Sequence, residues 1–353
     1  MATSEVHGVD RAQRPAGGVR RRRTRLLALV IAVLLLVLAA VLGLAVGARP
    51  VAFDEVVRII VGAASRDSAD AAAVLDLRLP RTVAAIVAGA GLGVAGAVVQ
   101  AVTRNPLADP GILGVTSGSA FAVALAVGFF GVSAASGWVW FSLVGAGLAT
   151  VAVSLIGGAG RGGGGPARLT LAGLALGSVL AGITSSIVLS DPRRFDAVRA
   201  WEVGSLADRG WEPVLTVAPF VAVGLVVALV AARPLDAVSL GDEHAASVGV
   251  SVPTVRVLSL IVVTLLAGGA TAIVGPIAFV GLIVAHTARG LVGPSQPWIT
   301  GLSALLGPAL LLLADVLGRV VAPPGELAAG LVTAAVGAPV LIAIARRRRV
   351  GGS

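Results

Sequence analysis

The chain contains no cysteine and no lysine. Without cysteine there is no disulfide framework, no thiolate nucleophile and no cysteine-based metal site. Without lysine there is no Walker A loop, whose lysine must reach the nucleotide phosphates. The chain is therefore not expected to hydrolyse ATP by itself. Charge is also scarce. Only 13% of the 353 residues are Asp, Glu, Lys or Arg, against about 25% in an average soluble domain. So few charges cannot cover a water-facing surface of this size, whereas a lipid-facing surface needs none. What is abundant is apolar: 57% hydrophobic residues, 47 glycines and a mean hydropathy of +0.98. All 27 basic residues are arginine and the net charge is +9. They gather at the ends of apolar runs, as in a membrane protein, and not in a nucleic-acid-binding stripe.

The apolar runs set the architecture. Residues 1–25 are polar, and Arg20–Arg23 and Arg25 stand just before the first run, Leu26–Ala48. A signal-peptide core is about 7–15 residues long and a spanning helix about 20, so this run reads as a retained first helix. Nine further runs follow near 82–103, 112–131, 137–157, 169–190, 214–232, 255–274, 276–292, 297–314 and 327–345. Gly275-Pro276 supplies the break between the seventh and eighth, and Pro308 interrupts the ninth. The expected organisation is a basic, disordered cytoplasmic tail at 1–25, a transmembrane unit of ten helices at 26–349 and a short tail at 350–353. The fold class is all-α integral membrane, embedded in membrane lipid.

Arginine placement orients the bundle. With the N-terminus inside, the inner segments (Arg289 counted with them) hold sixteen arginines and the outer segments ten, with Arg256 on the inner side as well. Both termini are thus expected inside. Ten helices divide into two halves of five with opposite orientation, an inverted repeat if the halves correspond. Gly89, Gly91, Gly93 and Gly96 would let helices approach closely in lipid.

Three segments stand out. Arg78-Leu79-Pro80-Arg81 lies at the outer start of the second run, against the prevailing charge bias, and reads either as arginines snorkelling at the interface or pairing with nearby Asp76, or as a docking point for an acidic surface. Asp109-Pro110 within Asn105–Gly111 reads as a helix N-cap followed by the first helical residue. The inner stretch Asp242–Val248 reads as a short helix closed by Gly249, with Asp242 and Glu243 suited to its N-terminus. The middles of the runs lack Asp, Glu, Arg and His, while Gln100, His286, Arg289 and Asp315 lie toward run ends. A secondary carrier usually keeps ionisable residues in the membrane, so the energy must come from a partner. Three scattered histidines offer neither an active site nor a metal site.

At these residues the chain resembles the permease family of ABC importers for iron–siderophores, haem and cobalamin (the FecCD-type transmembrane subunit). The resemblance runs from about residue 50 to 345. It includes Arg78–Arg81, Gln100, Asn105–Pro110, Gly114, Trp201, Gly204–Leu206, Leu240–Gly249, Gly275, Phe279–Val284, His286, Arg289, Ala314-Asp315, Arg319, Glu326, Gly330, Thr333-Ala334, Gly337 and Pro339. It implies a fold like that of the cobalamin-importer permease, with two permease subunits (identical or homologous) around one pathway. It implies two cytoplasmic ATPase subunits and an extracytoplasmic substrate-binding protein as partners, with no cofactor. By the same resemblance, Leu240, Gly241, Asp242, Glu243, Ala245 and Gly249 belong to the ATPase-coupling segment. Arg78, Arg81 and Arg319 meet acidic residues of the binding protein, and Asn105 and Leu107 lie at the cytoplasmic gate. The sequence departs from the family pattern at Ala285, at Gly293–Gln296 and at Ala328, and in the glycine-rich Arg161–Arg168 loop. The expected function is import of ferric siderophore, the commonest cargo of the family, across the cytoplasmic membrane. Cobalamin or haem import and, from another class, secondary transport are the alternatives.

Overall fold

A computed structural model describes residues 17–47, 51–132, 135–158, 166–190, 201–323 and 325–350. Among the described residues all regular structure is helical. We number the helices α1 Gly17–Ala45, α2 Phe53–Ile60, α3 Ala69–Val102, α4 Val115–Phe129, α5 Ala135–Gly158, α6 Pro166–Leu189, α7 Trp211–Leu240, α8 Asp242–Ser247, α9 Val252–Val274, α10 Val280–Val292, α11 Gln296–Val321 and α12 Ala329–Val350. Seven of them (α1, α3, α5, α6, α7, α9 and α11) are long and apolar enough to cross a membrane. The shorter apolar helices α4, α10 and α12 fall on the remaining predicted runs. The helix α10 has 13 residues, or about 20 Å at 1.5 Å per residue, short of a ~30 Å hydrocarbon core. Backbone next to such a helix must be buried in protein, because lipid satisfies no hydrogen bond.

The helix α3 is the central post. It packs against α11, α10, α7 and α9, and nearly all of Thr82–Ala101 is buried. The sequence explains how it can be surrounded. A Cβ at Gly89 would stand 2.6 Å from Pro308 Cα, and one at Gly96 would stand 2.3 Å from the Gly281 carbonyl oxygen. The small-residue run therefore brings backbones into direct contact, and this close packing substitutes for a hydrophobic drive that lipid does not supply. Lipid-facing leucines and valines point the other way. Leu27, Leu34, Leu148, Leu155, Leu174 and Val230 are all more than half exposed, which fits an apolar solvent.

Four boundaries differ from the sequence expectation. Helix α1 begins at Gly17, so Arg21–Arg25 are helical and do not belong to a disordered tail. Helix α3 begins at Ala69, passing through a π-helical segment at Ala73–Arg78 before Pro80. Helix α11 runs through Pro308 to Val321. The missing N–H breaks one hydrogen bond there, but the ring sits where α3 offers Gly89 and no side chain. The break at Gly275 falls where expected, and α10 restarts only at Val280, after Phe279 at φ 69°. The Arg161–Gly165 loop lies outside the described residues.

The contacts divide the bundle into two ends. Arg25 Nε donates to the Val292 carbonyl, Arg104 to Val238, and the Gln296 N–H to Asp236. All six belong to the predicted inner side or the helix ends beside it. At the other end Arg78 and Arg319 reach the last turn of α1, and the Gly330 N–H donates to Gly204. Segments predicted on one side of the membrane thus meet one another at one end of the bundle.

Candidate functional site

Two constellations stand at opposite ends. The first is built around α8. Helix α7 ends at Leu240, which is 71% exposed, and Gly241 at φ 138° turns the chain into α8. The far end of α8 is a complete Schellman closure. The Val250 N–H donates to Ala245 and the Gly249 N–H to Ala246, at 2.8 and 3.0 Å, with Gly249 at φ 78°. This pairing satisfies terminal carbonyls and needs a residue free to adopt positive φ. Ala245 is fully buried, while Glu243, His244 and Val248 are exposed. One side of the short helix is thus seated on the protein, and the other is presented outward with Leu240 and Val248 as apolar contacts.

Asp242 fixes this element to two others. It pairs with Arg104, in the loop after α3, and at 2.8 Å with Arg256 near the start of α9. The sequence reading gave Asp242 a place at the helix N-terminus and, by resemblance, in the coupling segment, but no ion-pair partner. The pairing with Arg104 and Arg256 joins residues 138 and 14 positions away and leaves no local sequence signal.

The Asn105–Gly111 loop lies on the same side. Asn105 Oδ1 accepts from the Leu107 N–H at 3.0 Å, and Asp109 Oδ1 from the Gly111 N–H at 3.0 Å. Asp109 is the N-cap of a 3-10 turn at Pro110–Leu113, so the predicted cap and first helical residue stand as read. Desolvation pushes the Asp109 carboxyl above its ordinary value. Backbone N–H groups of Gly111, Phe279 and Leu282 oppose that shift, tying the loop to the start of α10. Gln100 Nε2 lies 3.4 Å from the carbonyls of both Ala108 and Leu282. Asn105 and Leu107 are therefore the half-buried rim of a loop wedged between α3 and α10.

The second constellation holds the outer arginines. The sequence reading treats Arg78, Arg81 and Arg319 as surface charges. In the structure Arg78 and Arg319 are 6% and 8% exposed. Arg78 Nη1 donates to the Leu44 and Ala45 carbonyls at 2.8 and 2.9 Å. Arg319 Nη1 donates to Gly43 and Val46, both at 2.8 Å. A helix end leaves its last carbonyls unpaired, and the two arginines together close the end of α1. A Cβ at Gly47 would come within 2.8 Å of the Arg78 guanidinium, so glycine leaves room for the clamp. Asp315, 1% exposed, pairs with Arg319 one turn along α11 and with Arg81 of α3 at 2.7 Å. Arg81 also pairs with Glu326, in the link to α12, at 2.7 Å. A cavity of about 490 Å³ opens over this cluster, lined among others by Arg78, Arg81, Arg319, Glu326 and Arg209. Arg209, which the motif reading passed over, is half-buried and donates to the Ser205 carbonyl. Burial pushes its guanidinium below the ordinary value, and neighbouring Asp208 opposes this.

No group of three or more metal-ligating side chains occurs among the described residues. Both ends are polar and tied to several helices. A model of the FecCD transport family matches residues 33–347. The chain belongs to that family. It is 44% identical over 330 residues to the ferric enterobactin transport system permease protein FepD of Escherichia coli (strain K12), covering 94% of this chain and 98% of that protein. It is 44% identical over 279 residues to the iron(3+)-hydroxamate import system permease protein FhuB of Bacillus subtilis (strain 168), covering 78% and 72%. To the hemin transport system permease protein HmuU of Yersinia pestis it is 35% identical, covering 78% and 83%. A solved chain of a metal-chelate type ABC transporter in an inward-facing conformation superposes with a TM-score of 0.78 at 28% identity, covering 91% and 99%. The protein is accordingly a multi-pass membrane permease of the ABC importer type, and the family is made up of transport permease subunits.

Proposed function

We propose that this chain forms the translocation pathway for a ferric siderophore across the cytoplasmic membrane, with both termini cytoplasmic. The observation that carries this reading is the end-to-end match to a ferric enterobactin permease, supported by the hydroxamate relative. Haem is the second reading, favoured by the match to a hemin permease. Two permease subunits, identical or homologous, would enclose the pathway, driven by two separate ATPase subunits. The absence of lysine supports assigning ATP hydrolysis elsewhere. Ten crossings, arranged as two opposed sets of five, fit the ten apolar helices.

The segment Leu240–Gly249 would take the force of the ATPase, through exposed Leu240 and Val248 and through buried Ala245. Asn105 and Leu107, bound to the start of α10 through Asp109, would form the gate on that side. The cluster of Arg78, Arg81 and Arg319 would receive the substrate-binding protein. Of these, Arg81 is the most exposed, and Arg209 joins it at the cavity rim. An acidic side chain entering there would compete with Glu326 for Arg81.

Uptake of labelled ferric siderophore, haem and cobalamin in a strain deleted for this chain tests the cargo. Loss of siderophore uptake alone is expected, and unchanged siderophore uptake with lost haem uptake would reverse the assignment. Arg209→Glu tests docking, because it reverses charge at the rim at the cost of the Ser205 bond and the attraction of neighbouring Asp208. Binding-protein affinity should fall while the melting of the chain stays the same, and an unchanged affinity would exclude Arg209 from the interface.

A further inference from the structure

Helix α2, between α1 and α3, has three faces. At about 100° per residue, Val56 and Ile59 share one side, Asp54, Glu55 and Arg58 a second, and Phe53, Val57, Ile60 and the capping Val61 a third. The first side is buried. It closes with Val51 and with Ala71 and Val74 of α3 into a small apolar core, against which Leu44 of α1 and Leu75 of α3 pack. On the second side Arg58 Nη1 donates to Glu55 at 3.1 Å, so much of its charge is met within the helix. The third side has no cover among the described residues. Its four apolar side chains are 42–69% exposed.

The position of α2 decides what meets that stripe. On α1, Leu26, Val30, Val33 and Val37 are exposed and fall within about 60° of one another at 3.6 residues per turn. They face away from buried Ala28, Ala32 and Ala39 and so belong to the surface that meets lipid. Leu44 continues the same line, seven positions after Val37, yet it is half-buried because the core of α2 and α3 packs on it. Helix α2, which touches α1 directly, and the start of α3 therefore cover the end of the lipid-facing side of α1. That end is the one closed by the arginine clamp. The open stripe thus stands at the edge of a surface that already meets the bilayer. It offers no side-chain hydrogen-bonding group and no charge, which suits lipid and gives a polar partner nothing to bind. A helix with one strongly apolar face and a charged face beside it lies in the plane of the membrane interface.

We propose that α2 is an interfacial anchor, with Phe53, Val57, Ile60 and Val61 in the headgroup–acyl boundary of the leaflet at the clamp end and with Asp54 and Arg58 toward water. The lipid contact holds the start of α3, and with it Arg78, at a fixed depth.

The chain has no cysteine of its own, so single cysteines can carry a nitroxide label. Phe53→Cys, Val57→Cys and Ile60→Cys sample the stripe, and Asp54→Cys and Arg58→Cys the charged side; all five positions are exposed. Each labelled full chain is reconstituted into vesicles of phosphatidylethanolamine and phosphatidylglycerol. Collisions with oxygen, which concentrates in lipid, and with a water-soluble nickel chelate give the depth of each label. Labels on the stripe should lie about 5–10 Å into the headgroup–acyl boundary, open to oxygen and shielded from nickel. Labels at 54 and 58 should be severalfold more accessible to nickel. Equal nickel access on both sides of α2 would show that the stripe faces water and overturn the anchor. Shielding of the stripe from both reagents would show a protein cover, such as a second copy of the chain, and overturn it as well. So would stripe labels that stay open to nickel until the substrate-binding protein is added, since α2 would then be a docking surface. Phe53→Glu with Ile60→Glu leaves Val56 and Ile59 in their core and should move the label of Val57→Cys toward water. An unchanged depth there would show that the stripe does not hold the helix and overturn its anchoring role.

Discussion

Replacing Asp315 by Asn probes the buried arginine cluster with the smallest change of shape. Asp315 is 1% exposed and stands between Arg81 and Arg319, themselves 13% and 3% exposed at the side chain. Were these surface pairs, losing one would cost at most about 1 kcal/mol. Removing one partner of a buried ion pair instead costs about 3–5 kcal/mol, because the remaining charge is left in a poor solvent. Here two guanidinium groups lose their shared carboxylate. Glu326 still pairs with Arg81 at 2.7 Å, and Arg319 keeps the Gly43 and Val46 carbonyls. The lower figure, about 3 kcal/mol, is therefore expected. That is roughly a hundredfold in the folded-to-unfolded ratio at about 1.4 kcal/mol per tenfold. Equilibrium unfolding of the detergent-purified chain, followed by tryptophan fluorescence, reads it as a lower denaturant midpoint at unchanged slope. Arg81→Gln should cost less than Arg319→Gln, because only Arg319 also closes the end of α1. If Asp315→Asn unfolds within about 0.5 kcal/mol of the parent, the surface value, the cluster is solvated and the clamp argument fails.

Gly249→Val should uncouple ATP hydrolysis by the partner ATPase from uptake while leaving the chain in the membrane, since valine at φ 78° destroys the Schellman closure of α8; normal transport would reduce α8 to a connection. The purified chain should show no ATPase activity until its partner is added, and turnover by the chain alone would end that assignment. Reporter fusions in the Leu240–Gly249 segment should report the cytoplasm, and a signal from outside the membrane there would refute the ten-crossing topology with both ends inside.

Much of this fold was legible because membrane helices announce themselves by length and hydropathy. Each of the ten apolar runs meets an apolar helix. The Gly275-Pro276 break, the Asp109 cap and the Gly249 closure were legible too, since each depends on a local backbone property of one residue. What was not legible depends on partners far along the chain. A charge at a helix end has the same sequence signature whether it faces water or a neighbouring helix. Arg319 pairs with carbonyls 276 and 273 positions away, and Arg81 with an acid 234 away. The extension of α11 through Pro308 was hidden for the same reason. Its cost is local, but the compensating space at Gly89 is on another helix.

The two ends suit opposite mechanical tasks. At the α1 clamp end, arginines with fixed geometry bind backbone carbonyls and a buried carboxylate, and α1, α3 and α11 are locked together. On the proposed docking role, such a surface receives its partner without deforming. At the α8 end, a six-residue helix rests on one buried alanine and is held by Asp242, itself 45% exposed. Ion pairs of that kind are weak and exchange readily with water. On the proposed coupling role, a push on α8 reaches Arg104 beside α3 and Arg256 on α9 through these pairs, without first breaking a buried network. Of these two recipients, α3 meets α9, α10 and α11 with backbones in direct contact, through Gly91, Gly96, Gly89 and Gly93. Both helices carry a π-helical segment, a register defect of the kind often found at functional positions: α9 at Thr264–Gly268 within its span, and α3 at Ala73–Arg78, beside the clamp at the other end. On the same proposed role, motion arriving from α8 meets the defect in α9 before it meets the one in α3, and is taken up along α9, toward the Gly275–Phe279 break.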